Sequence, residues 1–564
     1  MSTYGIDLGT TNCCIATLDH AGTPRVIHDE ENASDTLASA IYIDENDSFL
    51  VGAAAKEEAV THPETTFQFW KRYIGRDDIP DMPVYKANGK EYDPVKLSSI
   101  LLEKIVRYAN ASGEDVKDVV ITCPAYFNFA QREATKNAGL CAGLNVLAVI
   151  NEPTAAALYY CANRFQEQST KVLVYDLGGG TFDVSIIEIS LDGETRRCNV
   201  LASKGDFMLG GCDWDECLYN LLLQKYSEQY GVAEDAIDDE LKREFRGKAE
   251  DAKQKLSRKD KTSVKVFFEG EKISVDVTRE EFDAATKHKL DQTVSWIDMA
   301  LKTAGCTDAD MDVVLMVGGS TIMPQVRDML NARFGDKVQF NEPNLAVAKG
   351  AALTASMIYE DINPTPSPDP VPGPIDDGNP NNTDNNNFGD GAIGRAKKPS
   401  IVLTDVSPST FGLGILDENG TYICDNIVKV EQTIPCEETR TYYTPQANMR
   451  LIRLKLFESK DTADISTPCV DARGQEQYVD PALEMIYRGA LELPLPDGYN
   501  VPAESEVIVN FSISEACTVK IIATVPAAGN ESKEAVFHFA KQMSAEEIQD
   551  EINNNKNRIY VEGE

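Results

Sequence analysis

Two short stretches carry residue types that grip phosphate. In Val174-Tyr175-Asp176-Leu177-Gly178-Gly179-Gly180-Thr181-Phe182-Asp183 an apolar run stops at Asp176 and three glycines follow. A strand-like alternation then resumes at Val184, Ile186, Ile187 and Ile189. That order reads as strand, tight turn, strand. Consecutive glycines let backbone N–H groups converge without interference from a Cβ, and such a nest of donors holds an anion. An aspartate beside it holds the divalent cation that accompanies a nucleotide. For one copy, a glycine-rich hairpin without a ligand is an equal alternative. A second copy, Tyr4-Gly5-Ile6-Asp7-Leu8-Gly9-Thr10-Thr11-Asn12, opens the chain and is followed by Ile15-Ala16-Thr17-Leu18. Two similar halves, each with a phosphate-gripping turn and an aspartate, imply a nucleotide clamped between two lobes.

Those turns need elements to position them. Residues 1–360 alternate strands and helices. The pattern predicts helices over 97–111, 131–143, 213–230, 239–256, 282–304 and 345–359. It predicts buried strands at 119–122, 148–150 and 313–317, and a hairpin over 264–277. The strand at 313–317 runs into Gly318-Gly319-Ser320, a third turn facing phosphate or base. Pro153 suits the first turn of a helix starting near Glu152. This alternation implies α/β lobes with ligands at the strand ends. Residues 361–398 then hold seven prolines and seven asparagines, a composition that cannot bury a core and reads as a disordered linker. Residues 399–542 are β-rich, with strands expected near 401–403, 451–457, 491–495, 507–513 and 518–524, and read as an all-β sandwich. Residues 543–564 read as a short helix with a frayed tail.

Composition bounds the rest. A chain of 564 residues exceeds one core. A net charge of −37 argues against sequence-independent nucleic-acid binding. The thirteen cysteines contain no Cys-x-x-Cys pair, and the five histidines no ligand-spaced cluster, so neither a zinc site nor a disulfide framework is indicated. No apolar run reaches membrane-spanning length and no leader segment precedes the first strand, so a cytoplasmic, reduced protein without membrane partners is expected.

Taken together the motifs resemble the seventy-kilodalton heat-shock chaperones of the DnaK type. The resemblance rests on Gly5 to Asn12, Pro124-Ala125-Tyr126-Phe127-Asn128, Asn151-Glu152-Pro153-Thr154-Ala155-Ala156-Ala157, Asp176 to Asp183 and Gly318-Gly319-Ser320-Thr321. Leu403-Thr404-Asp405-Val406-Ser407-Pro408 looks like the family's junction into the β domain. The resemblance implies an actin-like two-lobed ATPase using ATP, ADP and magnesium, and a sandwich holding extended apolar segments of unfolded protein. A J-domain co-chaperone and a nucleotide-exchange factor would be partners, in stress response and protein folding.

By position, Asp7 and Asp176 would hold magnesium. Gly9, Thr10, Thr11, Asn12, Gly178, Gly179, Gly180 and Thr181 would grip phosphates. Lys71 would be the catalytic lysine and Glu152 would order water, with Asp176 and Thr181 also in the catalytic set. Glu250, Lys253 and Ser257, spaced along one helix face, would contact adenosine opposite Gly318, Gly319 and Ser320. Read without the resemblance, Lys71 is a surface lysine, Glu152 a favourable carboxylate at a helix start, and the 250–257 face a solvated charged surface. Leu413, Leu416, Tyr442, Ile452 and Leu454 would line the peptide cleft, with plain sandwich core as the alternative, equal for Ile452 and Leu454.

The pattern is broken at Ile322, where an arginine beside adenine is common, at Asn344 and Phe129, where aspartates are common, and at Ala148, in place of a docking arginine. Pro124 and Arg132, of the interlobe relay, are kept. The 22 residues after Gln542 are too few for the family's helical lid, so a lidless member with rapid peptide exchange is expected. Two alternatives stand beside the chaperone: a nucleotide switch or scaffold without chaperone turnover, and a small-molecule kinase of the same fold.

Overall fold

The structure is a computed structural model that describes residues 2–76, 82–162, 169–192, 195–340, 342–362, 401–416, 422–459, 486–495, 501–514 and 518–559. Its first 362 residues repeat one plan. Strand Thr3–Asp7 runs antiparallel to Asn12–Leu18 and parallel to Asp118–Cys123, which pairs in parallel with Asn145–Asn151. Strand Thr170–Leu177 runs antiparallel to Phe182–Asp192 and parallel to Val313–Val317, which pairs in parallel with Val338–Phe340. Asp7 and Asp176 thus occupy equivalent positions, each at the end of a central strand where its hairpin turns. Val313–Val317 is buried throughout, as a parallel strand covered on both faces must be.

Small residues bring the halves together. Helix Ala346–Ile362 lies on the first sheet, helix Glu152–Ala162 on the second, and the two helices pack on each other. A Cβ on Gly350 would stand 1.8 Å from the Ala155 carbonyl oxygen, and one on Gly5 2.1 Å from the Ala352 nitrogen. Neither position tolerates a side chain without moving backbone.

Helix boundaries follow local capping. Helix Asp239–Leu256 begins after Asp238, whose carboxylate accepts from the Glu240 amide. Helix Phe129–Cys141 starts two residues before the expected Gln131. Asn128 and Gln131 form a reciprocal capping box that fixes the start at Phe129. Thr278 and Glu281 likewise start helix Arg279–Thr303 earlier than expected.

The β domain is two four-stranded antiparallel sheets, one of Tyr422–Val428, Thr410–Leu416, Leu451–Ser459 and Ile486–Pro494. The other comprises Cys436–Tyr443, Glu506–Ile513, Val519–Val525 and Glu531–Phe537. Residues 363–398 of the proline- and asparagine-rich stretch lie outside the described residues; Asp361 and Ile362 finish the preceding helix.

The β domain is docked on the ATPase-like half. Strand Ile401–Val406 adds in parallel to Thr195–Asp206, from Arg196↔Ile401 to Asn199↔Thr404, and then pairs with Thr433–Ile434. Asp405 accepts from Asn151 Nδ2 at 2.6 Å and lies 3.6 Å from Arg132. Phe129 inserts into the sandwich core, edge-on to Phe411 at 4.9 Å and 5.4 Å from Phe539. Beside it Glu133 accepts from the Phe539 and Ala540 amides and lies 2.7 Å from His538 Nδ1.

The C-terminal helix Ala545–Arg558 is not loose. It packs on helices Pro94–Ala111 and Phe129–Cys141, with Asn555 fully buried and donating to Ser99 Oγ at 3.0 Å. Ile559 beyond it bridges to Phe49. Residues 560–564, where a frayed tail is expected, lie outside the described residues.

Candidate functional site

Where the two hairpin turns meet, they fit into each other. A Cβ on Gly179 would lie 2.1 Å from Thr11 Oγ1, and one on Gly180 2.2 Å from Thr10 Cγ2. Only glycine allows this approach, which explains the last two of the three glycines. Gly9 makes the tight return of its own turn, with a Cβ position 2.0 Å from the Asn12 carbonyl oxygen. The N-terminus of helix Gly211–Tyr230 braces the second turn: the Gly211 and Cys212 amides donate to the Gly178 and Gly179 carbonyls at 3.0 and 2.7 Å.

One feature differs from the expected donor nest. The Gly178 amide donates to the Thr181 carbonyl at 3.0 Å within the turn, so it is committed there and is not a phosphate donor in this conformation. The Ser320 hydroxyl is similarly committed, donating to the Gly178 carbonyl at 2.9 Å.

Beneath the turns, Lys71 Nζ donates to Glu152 Oε1 at 2.7 Å, both groups buried. Lys71 is therefore not a surface lysine. It sits in the short turn Trp70–Tyr73, whose Trp70 is buried and donates to Ser98 Oγ. Burial works against the Lys71 charge, but Glu152 and Asp7 together hold its pKa above the ordinary value. Burial pushes the Asp7 carboxyl up to about 7, helped by the Glu152 charge and opposed by Lys71. Asp176 and Asp183 are raised well above the ordinary range by burial and by neighbouring carboxylates, Glu152 first. One ammonium thus shares a desolvated pocket with the Asp7, Glu152 and Asp176 carboxyls, a field that favours a further cation. Among the described residues no three His, Cys, Asp or Glu side chains converge to hold a metal alone.

The cavity encloses about 320 Å³ and is shared between the lobes. Asp7, Gly9, Thr10, Thr11, Asn12, Lys71, Glu152, Asp176, Gly178, Gly179 and Thr181 line it, together with Glu250, Lys253, Ser257, Gly318, Gly319 and Ser320. Gly180 is not in the wall but supports it through its contact with Thr10. Helix Asp239–Leu256 is amphipathic rather than a free charged surface, burying Leu241, Phe245, Ala249, Ala252 and Leu256. Lys253 is buried and donates to the Gly211 carbonyl at 2.9 Å and to Asp215 Oδ2 at 2.7 Å. Burial raises Asp215 to about 6. Glu250 pairs with Lys56 from the opposite lobe, closing the cleft from outside. Burial opposes the Glu250 charge, but Lys56 and Lys253 pull its pKa below the ordinary value.

Sequence reasoning missed Arg72. Buried next to Lys71, it crosses between lobes and donates to the Gly180 carbonyl at 2.7 Å and to Asp213 Oδ2 at 2.6 Å. A second cation adjacent to Lys71 was its only signal. Asp215 and Gln254, both in the cavity wall, were missed as well.

Of the residues expected to line a peptide cleft, four have described side chains. Leu413, Ile452 and Leu454 lie in the sandwich core, because the apolar side of each strand faces the opposite sheet. Tyr442 is half-buried, its hydroxyl donating to Asp425 Oδ2 at 2.7 Å. The Leu416 side chain lies outside the described residues. No described helix is long and apolar enough to cross a membrane.

Compared with known families, residues 3–364 match the model described as Hsp70 protein.

Proposed function

The chain belongs to the Hsp70 family of ATPase chaperones, and we propose that it couples slow hydrolysis of magnesium ATP to binding of extended polypeptide by its β domain. The observation that carries this reading is the interlocking of Gly179 and Gly180 with Thr11 and Thr10, with the Lys71–Glu152 pair directly beneath. A closed two-lobed clamp with a buried cation at its floor suits phosphoryl transfer, which is mostly positioning and electrostatics.

Lys71 Nζ would stabilise charge on the transferred phosphoryl, and its bond to Glu152 fixes where that charge sits. Glu152 keeps a second carboxylate oxygen with which to orient a water. Thr10, Thr11 and Thr181 would hold phosphate oxygens. Asp7 and Asp176 would hold magnesium, which when bound supplies charge neutralisation across the phosphates.

Coupling to the β domain would run through adjacent residues of one strand–helix junction. Asn151 grips Asp405 of the docked strand, and Glu152 grips Lys71 in the site. Leu413, Ile452 and Leu454 are covered in the docked sandwich, so a peptide would reach them only in a more open form. It would shift the domain toward that form by its differential affinity for the two states. ATP turnover measured with and without an unfolded apolar peptide tests this: stimulation supports it, and turnover indifferent to peptide refutes the coupling. A nucleotide switch that keeps its β domain docked is the second reading, favoured by the burial of Phe129 in the sandwich core.

A further inference from the structure

We infer that Arg72 is a positioning residue for the reaction: from the first lobe it turns the Thr181 amide of the second lobe toward the cavity, so that this phosphate donor is set only while the lobes are closed. This rests on the nucleotide reading above and concerns one donor of that site.

The glycine-rich turn is held by its carbonyls. Those of Gly178 and Gly179 accept from the Gly211 and Cys212 amides, which belong to the same lobe. The Gly180 carbonyl is held from the opposite lobe, by Arg72 Nε at 2.7 Å. Arg72 is buried in the short turn Trp70–Tyr73. Its Nη2 donates to Asp213 Oδ2 at 2.6 Å, and the same oxygen accepts from the Gly210 amide at 2.7 Å. Gly210 is pressed onto the turn, since a Cβ there would stand 2.5 Å from the Gly180 Cα. Arg72 therefore grips the second lobe at two points with one planar fork, a geometry that lysine lacks.

The direction of the Thr181 amide follows from the peptide plane. In a trans peptide a carbonyl and the next N–H point opposite ways. With the Gly180 carbonyl on Arg72, the Thr181 N–H points away from Arg72. Thr181 lines the cavity, whereas Arg72 and Gly180 stand outside its wall. Among the described residues the Thr181 amide meets no hydrogen-bond acceptor, and a buried backbone donor calls for one. The Gly178 amide is spent within the turn on the Thr181 carbonyl, which leaves the Thr181 N–H more of the anion to hold. When the lobes part, Arg72 leaves the Gly180 carbonyl, and a glycine backbone is free to turn that peptide elsewhere.

The test compares the full chain with Arg72→Lys, which keeps the charge and loses the fork. Threonine amides are labelled for NMR, and the probe is magnesium ADP with beryllium fluoride, a stand-in for the terminal phosphoryl. In the native chain the probe is expected to move the Thr181 amide proton downfield. In Arg72→Lys that movement is expected to be lost while the other threonine amides keep their native positions, and single-turnover ATP hydrolysis to fall at least about tenfold. A native Thr181 response in the variant, or an unchanged rate, overturns the inference, because Arg72 would then act by charge alone. Asp213→Asn keeps an acceptor for the Gly210 amide but drops the charge that holds Arg72. It is expected to lose part of the same Thr181 response, and it decides the matter where the lysine variant does not fold; an unaltered response there overturns the inference. Failure of the native chain to bind magnesium ADP would overturn the nucleotide reading itself.

Discussion

Replacing Phe129 by alanine separates interdomain docking from folding. Phe129 is 1% exposed, yet its apolar neighbours are Phe411 and Phe539 of the β domain rather than the core of its own lobe. Truncating a core phenylalanine costs about 3–5 kcal/mol. Here that loss falls on the docking equilibrium, because the contacts form only when the domains meet. Even 3 kcal/mol lowers the docked-to-undocked ratio about 150-fold. What remains includes the parallel pairing of Ile401–Thr404 with Arg196–Asn199, together with Glu133 on the Phe539 and Ala540 amides and Asn151 on Asp405, hydrogen bonds each worth about 1–3 kcal/mol. The variant should therefore populate undocked molecules without unfolding either domain. Small-angle scattering reads this directly: a compact chain of this length has a radius of gyration of about 24 Å, and Phe129→Ala should raise it. Thermal unfolding should split into two transitions, with that of the ATPase half unmoved. An unchanged radius together with one unsplit transition would refute the reasoning.

Gly179→Ala would drive a Cβ to 2.1 Å from Thr11 Oγ1 and hold the lobes apart. ADP affinity in calorimetry should fall at least about tenfold, with partial recovery when Thr11→Gly removes the obstructing side chain; unchanged affinity would refute the interlock. Because burial raises Asp7 to about 7, a bound cation must displace its proton. Magnesium–ADP affinity should fall by up to about tenfold per pH unit below that value, with proton release visible by calorimetry in two buffers and lost in Asp7→Asn. Without nucleotide the same raised pKa makes the Asp7 contribution to stability full below its ordinary value of 3.8 and lost as pH rises through about 7. Asp7→Asn should therefore melt higher than the native chain above neutral pH, and an equal or lower Tm there would count against the assignment. Glu133→Ala, which removes the acceptor for two β-domain amides, should weaken docking in scattering less than Phe129→Ala does.

Much of this arrangement is legible in sequence because its signals are local. The Asp176–Asp183 hairpin, the bounds 239–256 of the charged helix and the strand at 313–317 are set by glycines, caps and apolar runs within a few residues. The pairing of the two Asp-Leu-Gly units is legible because each half repeats the same local pattern. Contacts between distant segments are not legible. Arg72 meets partners 108 and 141 residues away, and nothing near it announces them. The short strands between Pro24 and Tyr92 are too brief for periodicity to reveal. Alternation in Leu451–Ser459 shows that one face is apolar, but a groove wall and a sandwich core alternate alike, so Ile452 and Leu454 could not be assigned from sequence. Phe129 stands out as an apolar residue at a helix start, but only the docked β domain explains it. The seat of the C-terminal helix on the first lobe likewise depends on partners more than 400 residues away, Asn555 on Ser99 among them.

The account stands on the Lys71–Glu152 pair acting on a nucleotide held between the lobes. Single-turnover hydrolysis of magnesium ATP by the native chain and by Lys71→Ala, with nucleotide affinity measured alongside, tests this most directly. The account predicts that the native chain hydrolyses ATP and that the variant still binds it but turns it over about 10²–10³-fold more slowly. Equal rates in the two proteins, or no hydrolysis by the native chain, would contradict it.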